Sequence, residues 1–211
     1  MGLFRRKRKE VRPSITFDGR EAAPAGRSFG FKSAWLAVRT GDPAEVAEAL
    51  GLQDATSTPW PEGIAAVYED AGARPAPVFV CSPVDGWVLV PFGSALAEPE
   101  SFDLAALSRR FGEVQRFATH RVVESHEWER WVDGQPVRRY GYLGESGEVR
   151  FNEGEPTELD EGLLSATDAD PDDWELADEE RVMEIAAAWS VDPTTLDERD
   201  DVPDEGLLGR R

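Results

Sequence analysis

The sequence predicts an α+β fold, in which two to four helices cover one face of a mainly antiparallel or mixed β-sheet. Hydrophobic residues make up 40% of the 211 positions, which is enough for a packed core. Strand-like segments are separated by short turns, and two of these turns are the hairpin-forming pairs Asp85-Gly86 and Asp133-Gly134. Hairpin connections favour antiparallel pairing over the parallel sheet that a regular alternation of strands and helices produces.

Strands are predicted where β-branched and aromatic residues cluster between turn residues. These segments are 34–38, 78–81, 87–90, 114–131, 137–143 and 149–151. The segment 34–38 is a continuous apolar run, which indicates a buried strand. Between the segments 34–38 and 78–81, the stretch 53–63 is predicted to be a loop and 64–68 a short strand.

Three helices are predicted from their capping residues and their apolar spacing. Asp42 begins the first helix, with a proline at the first helical position, and Gly51 ends it. Asp103 begins the second helix and Gly112 ends it. The third helix covers 178–189, and the polar segment after it is predicted to be a short packed turn.

Composition divides the chain into four regions. Residues 1–30 form a flexible basic tail, 31–151 an α+β core domain, 152–196 an acidic linker with a helix that packs on the core, and 197–211 a disordered tail. The composition changes most after residue 151, since 152–205 contains 21 acidic residues and two basic ones.

The net charge of −19 is the most extreme property of the chain, and it is unevenly distributed. Six of the first twelve residues are basic and one is acidic, so the rest of the chain is still more negative than the total. Such a body repels nucleic-acid phosphates and attracts basic proteins. We therefore expect a basic protein partner and no DNA binding by the acidic body.

Several classes of protein are disfavoured by what the sequence lacks. A single cysteine, Cys81, rules out an intramolecular disulfide and is typical of a reducing compartment, so we expect a cytoplasmic protein. No apolar run is long enough to span a membrane, and the basic N-terminus is not followed by the apolar stretch of a signal peptide. No phosphate-binding loop, dinucleotide fingerprint or Gly-x-Ser-x-Gly motif is present, which favours a non-enzymatic protein without a cofactor.

The preferred functional hypothesis is an acidic protein-binding protein, for example an immunity-like or accessory protein that inhibits a toxin or nuclease. Aromatic residues beside acidic ones are typical of protein-binding surfaces. The predicted binding surface consists of Glu124, Glu127, Trp128, Glu129 and Trp131, together with Asp170, Asp172 and Asp173 of the acidic segment.

The alternative hypothesis is a metal-binding protein or a metal-dependent hydrolase. Its ligands would be His120, Glu124 and His126, since two imidazoles and a carboxylate are a common zinc or iron ligand set. On one continuous strand the two histidines would be roughly 20 Å apart. This segment alone therefore predicts no complete site, and a further ligand from another strand would be required.

Two further segments have weaker patterns. The run from Asp168 to Glu179 resembles the start of a calcium loop, but Asp173 stands where the loop needs a glycine. Near the N-terminus, a basic segment follows two apolar residues and would contact an anionic membrane, contact nucleic acid, or remain solvated. Its basic residues are Arg5, Arg6, Lys7, Arg8 and Lys9.

Overall fold

A computed structural model describes residues 26–70, 73–94, 102–163 and 176–211 of the chain. The described strands form one antiparallel sheet with the spatial order β2-β9-β3-β4-β1-β5-β6-β7-β8. They are β1 (Ser33–Val38), β2 (Gln53–Pro59), β3 (Pro77–Val80), β4 (Val88–Ser94), β5 (Glu113–His120), β6 (Ser125–Val132), β7 (Gln135–Leu143), β8 (Glu148–Glu153) and β9 (Glu205–Arg210). The helices are α1 (Pro43–Ala49), α2 (Trp60–Glu69), α3 (Leu104–Phe111), α4 (Glu179–Trp189) and a 3₁₀ helix at Pro193–Glu198. The predicted α+β class with an antiparallel sheet is confirmed.

Helices cover both faces of the sheet, which corrects the prediction of a single covered face. The central strand β1 shows this, because Trp35 and Ala37 belong to one hydrophobic cluster while Leu36 and Val38 belong to another. Side chains that are adjacent along a strand point to opposite faces. The first cluster includes residues of α2 and α4, and the second includes residues of α1 and α3.

The three predicted helices begin at the predicted capping residues. Asp42 accepts hydrogen bonds from the backbone N–H groups of Ala44 and Glu45, at 2.9 and 3.1 Å. Asp103 and Asp178 cap α3 and α4 in the same way, each accepting a bond of 2.8 Å. These caps satisfy N–H groups that have no partner inside the helix, which is why they can be identified from the local sequence.

Strand β2 and helix α2 occupy the region 53–68 that was predicted to be a loop and a short strand. The buried residues of α2 fix its packing on the sheet, and they are Trp60, Gly63, Ile64 and Val67. The apolar residues Ile64 and Val67, which predict a strand at 64–68, are also residues that α2 buries. In so short a segment, the apolar pattern of a strand cannot be distinguished from that of one helix face.

The predicted long strand 114–131 is in fact two strands. Residues 121–124 turn between β5 and β6, and Glu124 adopts the left-handed conformation with φ of 50°. No Gly-containing turn pair marks this position in the sequence, so the pattern of strand-forming residues runs through it.

The predicted disordered tail 197–211 contains a strand. Strand β9 lies between β2 and β3, and pairs with both of them. The backbones of Ala76 and Arg211 also exchange hydrogen bonds of 2.8 and 3.0 Å. Leu207 and Leu208 are the only apolar side chains of β9, so its pattern is too weak to predict a strand.

None of the described helices has both the length and the apolar character needed to cross a membrane.

Candidate binding surface

Three residues of the predicted binding surface are buried. Glu127, Trp128 and Glu129 expose 1%, 0% and 2% of their surface, because β6 is paired on both sides and packed on both faces at this point. A residue that is buried to this extent does not contact a partner. The expectation that these three residues face solvent is therefore corrected.

The carboxylates of Glu127 and Glu129 take part in a buried ion network. Arg116 is 2% exposed, and its Nη1 lies 2.7 Å from Oε2 of Glu127 and 3.4 Å from Oε1 of Glu129. Arg139 donates to Glu129 at 2.7 Å, and Arg150 pairs with Glu127. Nη2 of Arg116 is buried and has no hydrogen-bond acceptor among the described residues. The network therefore neutralises the two carboxylates inside the protein.

The two tryptophans of the predicted surface have structural roles. Trp128 stacks on Tyr140 with a centroid separation of 4.6 Å, and its Nε1 donates to Asp160 at 3.1 Å. Half-buried Trp131 donates from Nε1 to Glu129 at 3.1 Å. Both indole N–H groups are thus satisfied by the protein itself, as buried or partly buried indoles require.

Other predicted surface residues lie elsewhere. Glu124 is exposed on the turn between β5 and β6, where its backbone carbonyl accepts a 2.9 Å hydrogen bond from Gly144. Asp170, Asp172 and Asp173 lie outside the described residues, as do most of the calcium-like loop and the basic segment Arg5, Arg6, Lys7, Arg8 and Lys9.

The two histidines are closer along the sheet than one continuous strand would place them. His120 is paired with Ser125, and Thr119 is paired with His126. Successive pairs of a ladder point to opposite faces, so the two imidazoles leave the sheet on opposite sides. In the part of the chain that the structure describes, no group of three or more His, Cys, Asp or Glu side chains could hold a metal ion.

His126 is a buried neutral base. Its Nδ1 lies 2.9 Å from Oγ1 of Thr119. Burial lowers the pKa of His126 to about 4; the charge of Asp178 works in the opposite direction, and His120 lowers the pKa further. His126 is therefore neutral at pH 7 and is 3% exposed.

Cys81 is buried, as the sequence predicts. Burial raises the pKa of its thiol well above the ordinary value, so the reactive thiolate is disfavoured at neutral pH.

One group of exposed acidic side chains lies at an edge of the sheet, on β8 and the segments on either side of it. We call this group the acidic edge. Its members are Glu145, Glu148, Glu153, Glu155, Glu158 and Glu161. Apart from Glu153, which lies 3.1 Å from Arg139, none of them forms an ion pair with a described residue. The only basic residue from 145 to 161 is Arg150, and its guanidinium is paired with buried Glu127.

The segment after β8 is fixed to the sheet by one buried carboxylate. Asp160 accepts from Nε of Arg138 at 2.6 Å and from Oγ1 of Thr157 at 2.8 Å, besides its bond from Trp128. Burial alone raises the pKa of Asp160, but the hydrogen bonds from Thr157 and Arg138 outweigh burial and lower it. Asp160 therefore stays charged at neutral pH and holds the second half of the acidic edge beside the sheet.

The predicted binding surface omits the acidic edge because it was placed where acidic residues lie beside tryptophans. The available signal was the charge ratio of the segment 145–161, where seven acidic residues accompany one basic residue. The strand predicted at 149–151 is also the last of several hairpin-linked strands, and this position indicates a sheet edge.

Comparisons of the chain with protein families, with curated proteins and with solved structures found no match. Function is therefore inferred from the charge and geometry of the chain itself.

Proposed function

We propose that this protein is a non-enzymatic binding protein that presents the acidic edge to a basic protein partner. The observation that carries the proposal is a set of six exposed glutamates, five of which form no ion pair with a described residue. Their charge is available to a partner, whereas the charge of Glu127 and Glu129 is used inside the protein. An immunity-like inhibitor of a basic toxin or nuclease, acting in the cytoplasm, is the concrete form of this proposal.

The physical basis is electrostatic complementarity. Clustered charges of one sign steer an oppositely charged partner into encounter and increase the association rate, and salt screens this effect. Glu124 extends the surface, because its turn forms backbone hydrogen bonds with Gly144, next to Glu145. Among the described residues of the predicted surface, Glu124 is thus the exposed acidic residue that borders the acidic edge.

The fixed position of the segment after β8 also supports the proposal. Asp160 anchors residues between Glu155 and Glu161 through its bonds to Arg138, Thr157 and Trp128. A surface that is ordered before binding loses less conformational entropy when the partner arrives.

The test is an affinity pull-down from native cells at low and at high salt, with three forms of the protein as bait. These are the wild type, a Glu148→Lys/Glu155→Lys variant, and a matched Glu69→Lys/Glu198→Lys variant. Glu69 and Glu198 are exposed and lie away from β8, so both variants change the net charge equally. We expect a basic protein that the wild type and the matched variant capture at low salt and that the edge variant loses.

Capture that is equal for all three baits would show that the acidic edge is not the contact surface. The absence of any basic partner at low salt would contradict the proposed function as a whole.

A further inference from the structure

We propose that β8 binds an extended, lysine- or arginine-rich segment of the partner as a tenth strand of the sheet. This inference rests on the proposed function, and it specifies the conformation and chemistry of the partner. An extended peptide that adds to a sheet edge gains main-chain hydrogen bonds from the edge strand, while its side chains determine specificity.

Strand β8 has the backbone geometry that this mode requires. It is an edge strand of the described sheet and pairs with β7 on one side only. In an antiparallel pair, alternate residues direct their N–H and C=O groups away from the partner strand. Apart from the register shift opposite Gly141 and Tyr142, β8 therefore presents backbone donors and acceptors that no described strand occupies.

The charges beside β8 select a basic strand. Glu148 and Glu153 mark the two ends of β8, and Glu155 continues the negative surface just beyond it. Opposite charges on adjacent strands stabilise the pairing, and like charges directly opposite each other destabilise it. Pairing of β8 with β8 of a second copy would place like charges together, so a second copy is not the occupant.

The opposite edge of the sheet does not fit the same partner. Strand β2 contains one acidic residue, Asp54, and its register with β9 is interrupted between Gln53 and Thr56. Asp54 also has a φ of 53°, in the left-handed region. Strand β8 also has one register shift, opposite Gly141 and Tyr142, but none of its residues has a positive φ. The left-handed residue within β2 therefore distinguishes the two edges, because it interrupts the row of backbone groups and protects that edge from strand addition.

The test uses a synthetic probe, a peptide of about ten residues, the length of a long strand, in which lysine and valine alternate. A second peptide has the same sequence with every backbone amide N-methylated. It keeps the charge but has no N–H groups to donate. Binding of both to the full-length protein is followed by fluorescence anisotropy. We expect the unmodified peptide to bind at least about tenfold more tightly, since strand addition forms several backbone hydrogen bonds.

Hydrogen exchange locates the binding on the protein. The unmodified peptide should slow exchange of β8 amides that do not pair with β7, and it should not slow exchange in β2. The Glu148→Lys/Glu155→Lys variant should bind about tenfold more weakly, and the Glu69→Lys/Glu198→Lys variant within about twofold of wild type.

The outcomes separate this inference from the proposed function. Equal affinity for the two peptides, with loss of both in the edge variant, would overturn strand addition and leave charge-based binding standing. No affinity for either peptide would overturn strand addition, and the pull-down would then decide the proposed function independently. Protection of β2 in place of β8 would also overturn it, and would leave the glutamates of β8 with the role of preventing association between sheet edges.

Discussion

At the scale of single residues, burial decides what the ionisable groups of this protein do. In the sequence, Glu127 and Glu129 lie beside tryptophans, a pattern typical of a binding surface. In the structure, however, each is less than 3% exposed and paired with arginine. His126 is equally buried, but within the described part of the chain its hydrogen-bond contact is with the neutral hydroxyl of Thr119. Charged groups stay charged inside a protein when they are paired, and otherwise their pKa moves toward the neutral form.

The lowered pKa of His126 predicts that the protein loses stability in mild acid. The folded pKa is about 4 and the ordinary value is 6.5. Between these values the unfolded state binds a proton that the folded state does not, so stability falls as the pH falls through 6.5 and this loss levels off below 4. From pH 7 to pH 5 the loss is about 2 kcal/mol.

The measurement is the free energy of urea unfolding of wild type and His126→Gln as a function of pH. Carboxylates titrate in both proteins and cancel in the difference, which isolates the contribution of His126. We expect the variant to lose less stability between pH 7 and pH 5. Parallel pH profiles would show that His126 is not the group responsible.

The buried ion network makes Arg116 a sensitive position. Arg116→Met removes the cation shared by Glu127 and Glu129 and leaves buried negative charge, which costs about 3–5 kcal/mol. The matched control is Arg110→Met, since Arg110 pairs with Glu48 at an exposed site, and we expect a loss of less than about 1 kcal/mol there. Similar unfolding free energies for the two variants would contradict the structural role of the network.

At the scale of elements, local signals were sufficient for some helices and insufficient for others. Helices α1, α3 and α4 begin at aspartates that cap them through contacts within three residues, so the sequence predicts them. Helix α2 has no side-chain cap and depends on packing against β2, β3, β4 and the distant strand β9. Strand β9 was missed for the same reason, because its neighbours β2 and β3 precede it by more than a hundred residues.

Gly63 in α2 separates the effect of helix propensity from the effect of packing. Propensity alone favours alanine over glycine inside a helix by about 1 kcal/mol. However, a Cβ on Gly63 would lie 2.3 Å from the ring of Phe79, which is fully buried and packed edge-on against Trp60. We expect Gly63→Ala to destabilise the protein by about 1–3 kcal/mol, as overpacking does.

Gly41→Ala provides the control for this prediction. A Cβ on Gly41 would meet nothing within 4 Å, so we expect its unfolding free energy to stay within about 0.5 kcal/mol of wild type. Thermal or urea unfolding of both variants checks the pair. A stabilised Gly63→Ala protein would mean that Phe79 can move away from the helix.

At the scale of the whole molecule, the sequence predicts the fold class, while the candidate site depends on strand register. Hairpin turns and capped helices are local, and they are enough to identify an antiparallel α+β protein. Whether Glu127 faces solvent depends on Arg116 lying on the neighbouring strand and Arg150 two strands away. Composition reports the charge of a residue but not its partners, so the predicted surface included buried carboxylates and omitted the acidic edge.

The position of β9 has a consequence for how the protein is made. A ribosome synthesises β2 and β3 early, yet β2 joins the sheet only through β9, which is translated after every other described strand. Until then β2 and one side of β3 have no neighbour in the sheet, and the nascent chain exposes strand edges that can associate with other chains. The waiting time is set by translation speed, so slow translation of the region between β3 and β9 should favour aggregation of this protein in cells.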